Sequence, residues 1–416
     1  MTYDITAPKI LDANIKLPAS KSISNRALII YALTGGEHVP TNLSDCDDTA
    51  VVINALKSTA EVIDVKAAGT AMRFLSAYLS LIPGEHVITG SERMKHRPIG
   101  ILVDALRALG ADIAYVGEEG FPPLRIKGHQ LEGGQLEIPG NVSSQFISAL
   151  LLIGPMLEKG LQLTLQGEII SRPYIDLTLW VMGSFGAQAS WVENNTIDVK
   201  PQPYINKPYV IENDWSAASY WYETVALFGD SMPEVRLNGL MDSSRQGDSI
   251  IKYIFSLLGV KTTFSTDPKT GETITTLKHK IGGVQHLDFD FINCPDLAQT
   301  AVVACCALGV PFHFTGLASL KIKETDRIEA LKNELRKEGY LIRSVNNSEL
   351  IWDHGRCEPT FGLIDTYEDH RMAMSFAPLA IVHPHLRINH PEVVSKSYPH
   401  FWSDLRQAGF LIEEEP

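Results

Sequence analysis

The chain has 416 residues, 44% hydrophobic and 20% charged, and its 49 acidic against 36 basic side chains leave a formal charge of −13. That is the composition of ordinary globular domains, long enough for two or three cores, and it excludes intrinsic disorder and small disulfide scaffolds. A chain this acidic has no long-range field to draw in nucleic acid or an anionic membrane, so any anionic ligand must be captured by local clusters of base.

Along the chain, the opening Met1-Thr-Tyr-Asp-Ile-Thr lacks the basic segment and apolar run of a signal peptide. The longest apolar stretches, near Ser148 to Met156 and Ala301 to Val310, fall short of the roughly 20 residues that span a bilayer. Six uniformly apolar segments read as buried helices, starting near Ser22, Gly69, Ser143, Ser216, Asp296 and His370. Each starts with small or polar residues. Any one start alone reads as ordinary N-capping, but six pointing inward would offer free N–H groups and partial positive charge to an anion. A second, amphipathic helix type ends at Gly110, Gly186, Gly259, Gly339 and Gly409, at intervals of 76, 73, 80 and 70 residues, each glycine suiting the left-handed position that closes a helix. A shortened copy lies near Ala60. Strand-like runs such as LEIPG, LQLTLQ, EVRLNG and LRINH lie between them, so the fold class is α/β or α+β, with a βαβ-rich unit repeated six times, three per lobe. Asp267-Pro-Lys-Thr-Gly271, between two polar β-type runs, predicts a hairpin turn.

Neither a dinucleotide-binding G-x-G-x-x-G after a strand nor a Walker A loop occurs. The five cysteines form no C-x-x-C pair, and no Cys/His set has zinc spacing. The expectation is a cytoplasmic protein with buried thiols and no metal. Chemistry instead concentrates in short polar clusters. Lys21 stands beside a Ser-rich helix start and Arg26 about one turn further in, where both could address one phosphate or carboxylate. Gly69 would let a ligand approach the backbone, and Arg73 needs an anionic partner if buried. Arg93, Lys95 and Arg97 would share one side if that segment is extended. Gly140 to Gln145 and Ser171 to Tyr174 supply uncharged donors. In the second half, Asp296 puts a carboxylate at a buried helix start, Lys321 to Arg327 packs acid and base into seven residues, and Tyr367 to Arg371 with Ser395-Lys396 completes the set. Buried carboxylates beside cations are the usual makings of proton transfer.

Taken together and in order, L-P-A-S-K-S-I-S-N-R-A, A-G-T-A-M-R, R-M-K-H-R-P-I-G, V-S-S-Q-F, S-R-P-Y-I-D, Q-G-D, P-D-L-A, I-K-E-T-D-R and D-H-R-M-A-M resemble the 5-enolpyruvylshikimate-3-phosphate (EPSP) synthase family over essentially the whole chain. The resemblance implies transfer of the enolpyruvyl group of phosphoenolpyruvate to the 5-hydroxyl of shikimate 3-phosphate, with release of phosphate, in the shikimate pathway to aromatic amino acids. It implies no metal or organic cofactor, no nucleic acid or membrane partner, and a monomer. The implied fold is two lobes of three βαβαββ units each, pseudo-sixfold, closing on the substrates. The lobes fall at 20–212 and at 1–19 plus 213–416, with hinge crossings near Ala19 and Glu212.

Position by position, the resemblance implies that Lys21 reaches phosphoenolpyruvate while Ser22 and Arg26 hold shikimate 3-phosphate. It gives Ser143, Ser144, Gln145, Ser171 and Tyr174 to shikimate 3-phosphate, with Lys323 as a further contact. Gly69, Arg97, Arg327, Arg371 and Lys396 match phosphoenolpyruvate-binding positions, and Lys21 and Gln145 serve both substrates. Asp296 matches the group at the reacting hydroxyl and Glu324 the proposed acid/base, with Lys21 beside it. Ala67, Phe74 and Ser319 depart from common residues of the family, so sensitivity to glyphosate, which resembles phosphoenolpyruvate, does not follow from the resemblance. Two alternatives are a sister transferase acting on UDP-N-acetylglucosamine and a catalytically inactive binder of phosphorylated metabolites. The first typically carries a loop cysteine in the N-terminal lobe, whereas Cys46 lies too early and the other cysteines come after residue 290.

Overall fold

A computed structural model describes residues 1–415. The chain divides into two compact units, one of Ala19–Ile211 and one of Met1–Pro18 with Glu212–Pro416. Each buries its own apolar core. Among the described residues no helix is long and apolar enough to cross a membrane.

In the Ala19–Ile211 unit, strands alternate buried and exposed side chains, as in Leu124–Gly128, where Leu124 and Ile126 face inward and Arg125 and Lys127 outward. Two four-stranded sheets form here with the same topology. In each, two strands pair in parallel, Val62–Asp64 with Gly84–Thr89 and Gly134–Pro139 with Leu161–Gln166, and a hairpin adds two antiparallel strands. The predicted buried helices are Lys21–Thr34, Gly69–Leu79 and Ser144–Ile153. Ser20 caps the first and Ser143 the third, each accepting from an N–H of the first turn.

The other unit repeats the same four-strand topology twice, with parallel pairs Asp12–Lys16 with Glu234–Asn238 and Leu287–Asp290 with Phe312–Thr315. Its third sheet differs. Thr2–Thr6 lies in the middle, antiparallel to Leu386–Asn389 on one side and Leu411–Glu415 on the other. The buried helices here are Trp215–Phe228, Ala298–Leu308 and His370–Phe376. Asp214 and Asp369 cap the first and last by accepting from Ala217 N and Arg371 N. The fold class is mixed α/β, and among the described residues four sheets share one topology and a fifth has another. Gly110, Gly186, Gly259, Gly339 and Gly409 all adopt the predicted positive φ behind their helices. Asp267–Gly271 is a hairpin turn, its Asp267 carboxylate accepting from Lys269 N and Thr270 N between antiparallel strands.

Candidate active site

In the Ala19–Ile211 unit, Arg26 is the centre of one cluster. It is 3% exposed, and its Nε donates to Thr178 Oγ1 at 2.7 Å, Nη1 to Ser22 O at 2.8 Å, and Nη2 to Ser148 Oγ at 3.1 Å and Tyr174 O at 3.2 Å. Phe74 lies under the guanidinium at 5.4 Å. All four acceptors are neutral, and burial pulls the Arg26 pKa down to about 10. A buried cation held only by neutral oxygens retains its full attraction for an anion. One turn earlier, Lys21 Nζ pairs with Asp48 at 3.1 Å.

The neighbouring helix starts carry the rest. Gln145 Nε2 donates to Thr70 Oγ1 at 3.1 Å, which ties the Ser144–Ile153 start to the Gly69–Leu79 start. At Gly69 a Cβ would stand 2.7 Å from Arg97 Nη1 and 3.1 Å from Arg73 Nη1, so a side chain there would push the ends of these arginines aside. Arg73 is buried and donates to Gly69 O at 3.0 Å, with Phe146 below it at 5.7 Å. Ser171 takes a left-handed backbone, φ 53°, at the start of Arg172–Ser184, and its hydroxyl makes no cap. The segment around Arg93 is not extended. Ser91 caps a short helix, Glu92–Lys95, so Arg93, Lys95 and Arg97 do not alternate along a strand, and Lys95 is tied to Glu92 at 2.6 Å.

In the other unit, Arg327 opens the helix Arg327–Lys337 and is almost wholly buried. Its Nε donates to Asp369 Oδ2 at 2.7 Å, Nη1 to Asp296 Oδ1 at 3.0 Å, and Nη2 to Glu324 Oε2 at 2.9 Å and Asp369 Oδ1 at 3.3 Å. Arg371 Nη2 reaches the second oxygen of Asp296 at 3.0 Å, and its Nη1 reaches Tyr220 OH at 3.3 Å. Lys396 Nζ donates to Glu324 Oε1 at 2.8 Å. Asp296 thus lies between two guanidinium groups, and Glu324 between a guanidinium and an ammonium. Behind Asp296, the buried Asp248 accepts from Ser216 at a helix start.

The charges in this cluster are strongly coupled. Burial pushes the Asp296 carboxyl up, but Arg371, Lys323 and Arg327 outweigh it and hold it well below the usual carboxylate range. Asp248 goes the other way, pushed up to about 7 by burial and by the charge on Asp296. One proton on the pair therefore belongs to Asp248, and Asp296 stays ionised. Burial draws the Lys323 ammonium down, partly offset by Asp296. For Arg327, burial is overcome by Asp369, Glu324 and Asp296, which fix its positive charge.

A family model described as EPSP synthase (3-phosphoshikimate 1-carboxyvinyltransferase) matches residues 5–61 and 56–405. The chain belongs to the EPSP synthase family. It is 59% identical over 414 residues to a 3-phosphoshikimate 1-carboxyvinyltransferase of Bacteroides fragilis, covering 99% of both chains. It is 36% identical to that of Aliivibrio salmonicida, covering 95% of this chain and 97% of the other. An EPSP synthase structure from Acinetobacter baumannii shares the fold at TM-score 0.78 and 22% identity, covering 99% of this chain and all of that one. The enolpyruvyl transferase NikO of Streptomyces tendae shares it at TM-score 0.72 and 14% identity, over 99% and 98% of the two chains.

Within each unit of this family member, the contacts above join Arg26 to Ser22 and Tyr174, and Arg327, Arg371 and Lys396 to Asp296 or Glu324. Asp48, Ser148, Thr178, Tyr220 and Asp248 join them without a role read for them from sequence, as does Asp369 within the segment Tyr367 to Arg371. Asp248 and Asp369 sit inside the motifs Q-G-D and D-H-R, where a carboxylate within a polar cluster was the available signal. Among the described residues no group of three or more His, Cys, Asp or Glu is placed to hold a metal ion.

Proposed function

We infer that this chain transfers the enolpyruvyl group of phosphoenolpyruvate to the 5-hydroxyl of shikimate 3-phosphate, releasing phosphate. The observation that carries this reading is Arg327, which gathers Asp296, Glu324 and Asp369 on one guanidinium while Arg371 and Lys396 take the remaining oxygens. Two carboxylates for proton transfer are thus set among cations suited to a phosphate and a carboxylate. Shikimate 3-phosphate is assigned to Lys21, Ser22, Arg26, Ser143, Ser144, Gln145, Ser171, Tyr174, Asp296 and Lys323. Phosphoenolpyruvate is assigned to Lys21, Gly69, Arg97, Gln145, Arg327, Arg371 and Lys396.

In the reaction the 5-hydroxyl oxygen attacks C2 of phosphoenolpyruvate and loses its proton, while the methylene carbon C3 gains one, giving a tetrahedral ketal phosphate. Loss of a proton from the new methyl group then expels phosphate. Asp296 accepts the hydroxyl proton, and Glu324, with Lys21, carries the proton at C3. Held by two arginines, Asp296 is a weak base. An anionic substrate that draws Arg327 and Arg371 toward itself strengthens Asp296 and Glu324 as bases at the moment it binds. The finer expectations, a monomer working in the cytoplasm, rest on the family resemblance and on cysteines that are free and mostly buried.

The test is phosphate release by purified protein given phosphoenolpyruvate with either shikimate 3-phosphate or UDP-N-acetylglucosamine, without added metal. Release with shikimate 3-phosphate alone is expected. Release only with the sugar nucleotide, or binding without release, would overturn the reading.

A further inference from the structure

The two residues before Asp369 have an unusual backbone. Tyr367 and Glu368, at φ 53° and 56°, are consecutive non-glycine residues in the left-handed region. Side chains disfavour that region, so such a turn persists only where its surroundings fix it. The turn leads directly into the arginine cluster. Asp369 caps His370–Phe376 through Arg371 N at 2.9 Å and grips Arg327 through both oxygens. Arg371, two residues on, reaches Asp296.

The groups that fix the turn lie on the same helix as Arg327. Glu334 is seven residues beyond Arg327, two helical turns along the same face. It is fully buried. Its Oε1 accepts from Tyr367 OH at 2.6 Å, and its Oε2 accepts from Asp365 N at 3.0 Å and from Lys337 Nζ at 2.6 Å. Lys337 Nζ also donates to Leu363 O at 2.7 Å. Burial and the Glu334 carboxylate push the Tyr367 phenol well above its ordinary pKa, so it remains a donor at any working pH. One helix therefore holds both flanks of the turn, with Arg327 on Asp369 at one end and Glu334 on Tyr367 and Asp365 at the other.

We propose that Tyr367 and Glu334 are positioning residues for the phosphoenolpyruvate arginines, the Tyr367–Glu334 hydrogen bond holding a left-handed turn that sets Asp369, Arg327 and Arg371. The proposal rests on the assignment of those arginines to phosphoenolpyruvate. Tyr367 and Glu334 are themselves assigned to neither substrate, so their action passes through Asp369.

The decisive variant is Tyr367→Phe, which keeps the ring, removes the hydroxyl with its hydrogen bonds to Glu334 and Asn333, and leaves Glu334 its contacts to Lys337 and Asp365 N. Loss of a hydrogen bond to a buried carboxylate predicts a rise of about tenfold in KM for phosphoenolpyruvate. The Kd of shikimate 3-phosphate alone, measured by titration calorimetry, stays within about twofold, because its assigned contacts lie mostly on Ser22, Arg26, Ser143, Ser144, Gln145 and Ser171. Glu368→Gly placed in the Tyr367→Phe background relieves the left-handed turn at an exposed position and recovers most of that KM. A merely structural bond would weaken both substrates alike and would not be rescued by a glycine. Equal losses for both substrates, an unchanged phosphoenolpyruvate KM, or no rescue would each overturn the proposal. Should Tyr367→Phe fold poorly, the Tyr367→Phe/Glu368→Gly variant carries the test, and a phosphoenolpyruvate KM still raised about tenfold in it would overturn the idea. Arg327→Lys separates the two readings. If it leaves phosphoenolpyruvate KM unchanged, the arginine assignment has failed; if it raises KM and Tyr367→Phe does not, only the positioning role has.

Discussion

Replacing Asp296 by Asn tests the centre of the mechanism, because the substitution is nearly isosteric and changes only charge and hydrogen-bonding sense. In the structure Asp296 accepts from Arg327 and Arg371, each at 3.0 Å, one per oxygen. An amide keeps one of these contacts and turns an N–H toward the other guanidinium. One charge-assisted hydrogen bond is lost, about 1.5–3 kcal/mol, part of which reappears as a lower melting temperature. The effect on turnover is larger. A general base contributes about 10²–10⁴ in rate, or about 3–5 kcal/mol in the barrier, so kcat falls by that factor. KM for phosphoenolpyruvate, by contrast, stays level or drops, since the arginines lose an internal competitor. Initial rates of phosphate release at saturating shikimate 3-phosphate, with melting curves alongside, read both numbers. Turnover within a fewfold of the parent protein would refute the base assignment. A rise in KM with kcat unchanged would mean that Asp296 only arranges the arginines.

Glu324→Gln keeps one acceptor oxygen, for either Lys396 or Arg327, but has no proton to move, so exchange of solvent deuterium into the methylene of phosphoenolpyruvate falls at least about 10²-fold by mass spectrometry. Gly69→Ala places a methyl 2.7 Å from Arg97 Nη1, so Arg97 shifts and KM for phosphoenolpyruvate rises by about tenfold or more, with the melting temperature little changed. Asp248 has a folded pKa, about 7, above its unfolded value, so the protein is favoured while the group is protonated and loses stability as pH rises from about 4 through 7. Asp248→Asn removes that slope and raises stability at pH 7.5 by no more than about 4 kcal/mol, which urea unfolding at pH 5 and 7.5 detects; an unchanged slope would contradict the raised pKa.

The parts of the site that were legible in sequence are those whose chemistry is local. Lys21 to Arg26, Gly69 to Arg73 and Lys321 to Arg327 each gather charge around a helix start, and helix starts are visible as small polar residues before an apolar run. Sequence hides the partner chosen by packing. Thr178 meets Arg26 across 152 positions, and Asp48 meets Lys21 across 27, and nothing local to either residue names its partner. Alternating charge from Arg93 to Arg97 does not by itself distinguish strand from helix, and here Ser91 caps a short helix over Glu92–Lys95. The Asp267–Gly271 hairpin is legible from its turn residues between two β-type runs, and Leu161–Gln166 and Glu234–Asn238 from their alternating side chains. The sheet around Thr2–Thr6 was not, since its strands lie some 400 residues apart and carry no local sign of one another.

That sheet bears on how the chain is made. Thr2–Thr6 is synthesised long before either strand that flanks it, Leu386–Asn389 and Leu411–Glu415. The next strand, Asp12–Lys16, has a shorter wait, for Glu234–Asn238. The Ala19–Ile211 unit, whose sheets pair only within itself, is complete in the nascent chain while the first seventeen or so residues are still without strand partners. Those residues, with Ile5 and Ile15 destined for full burial, are the stretch of the newborn chain that a chaperone or a foreign strand edge would meet.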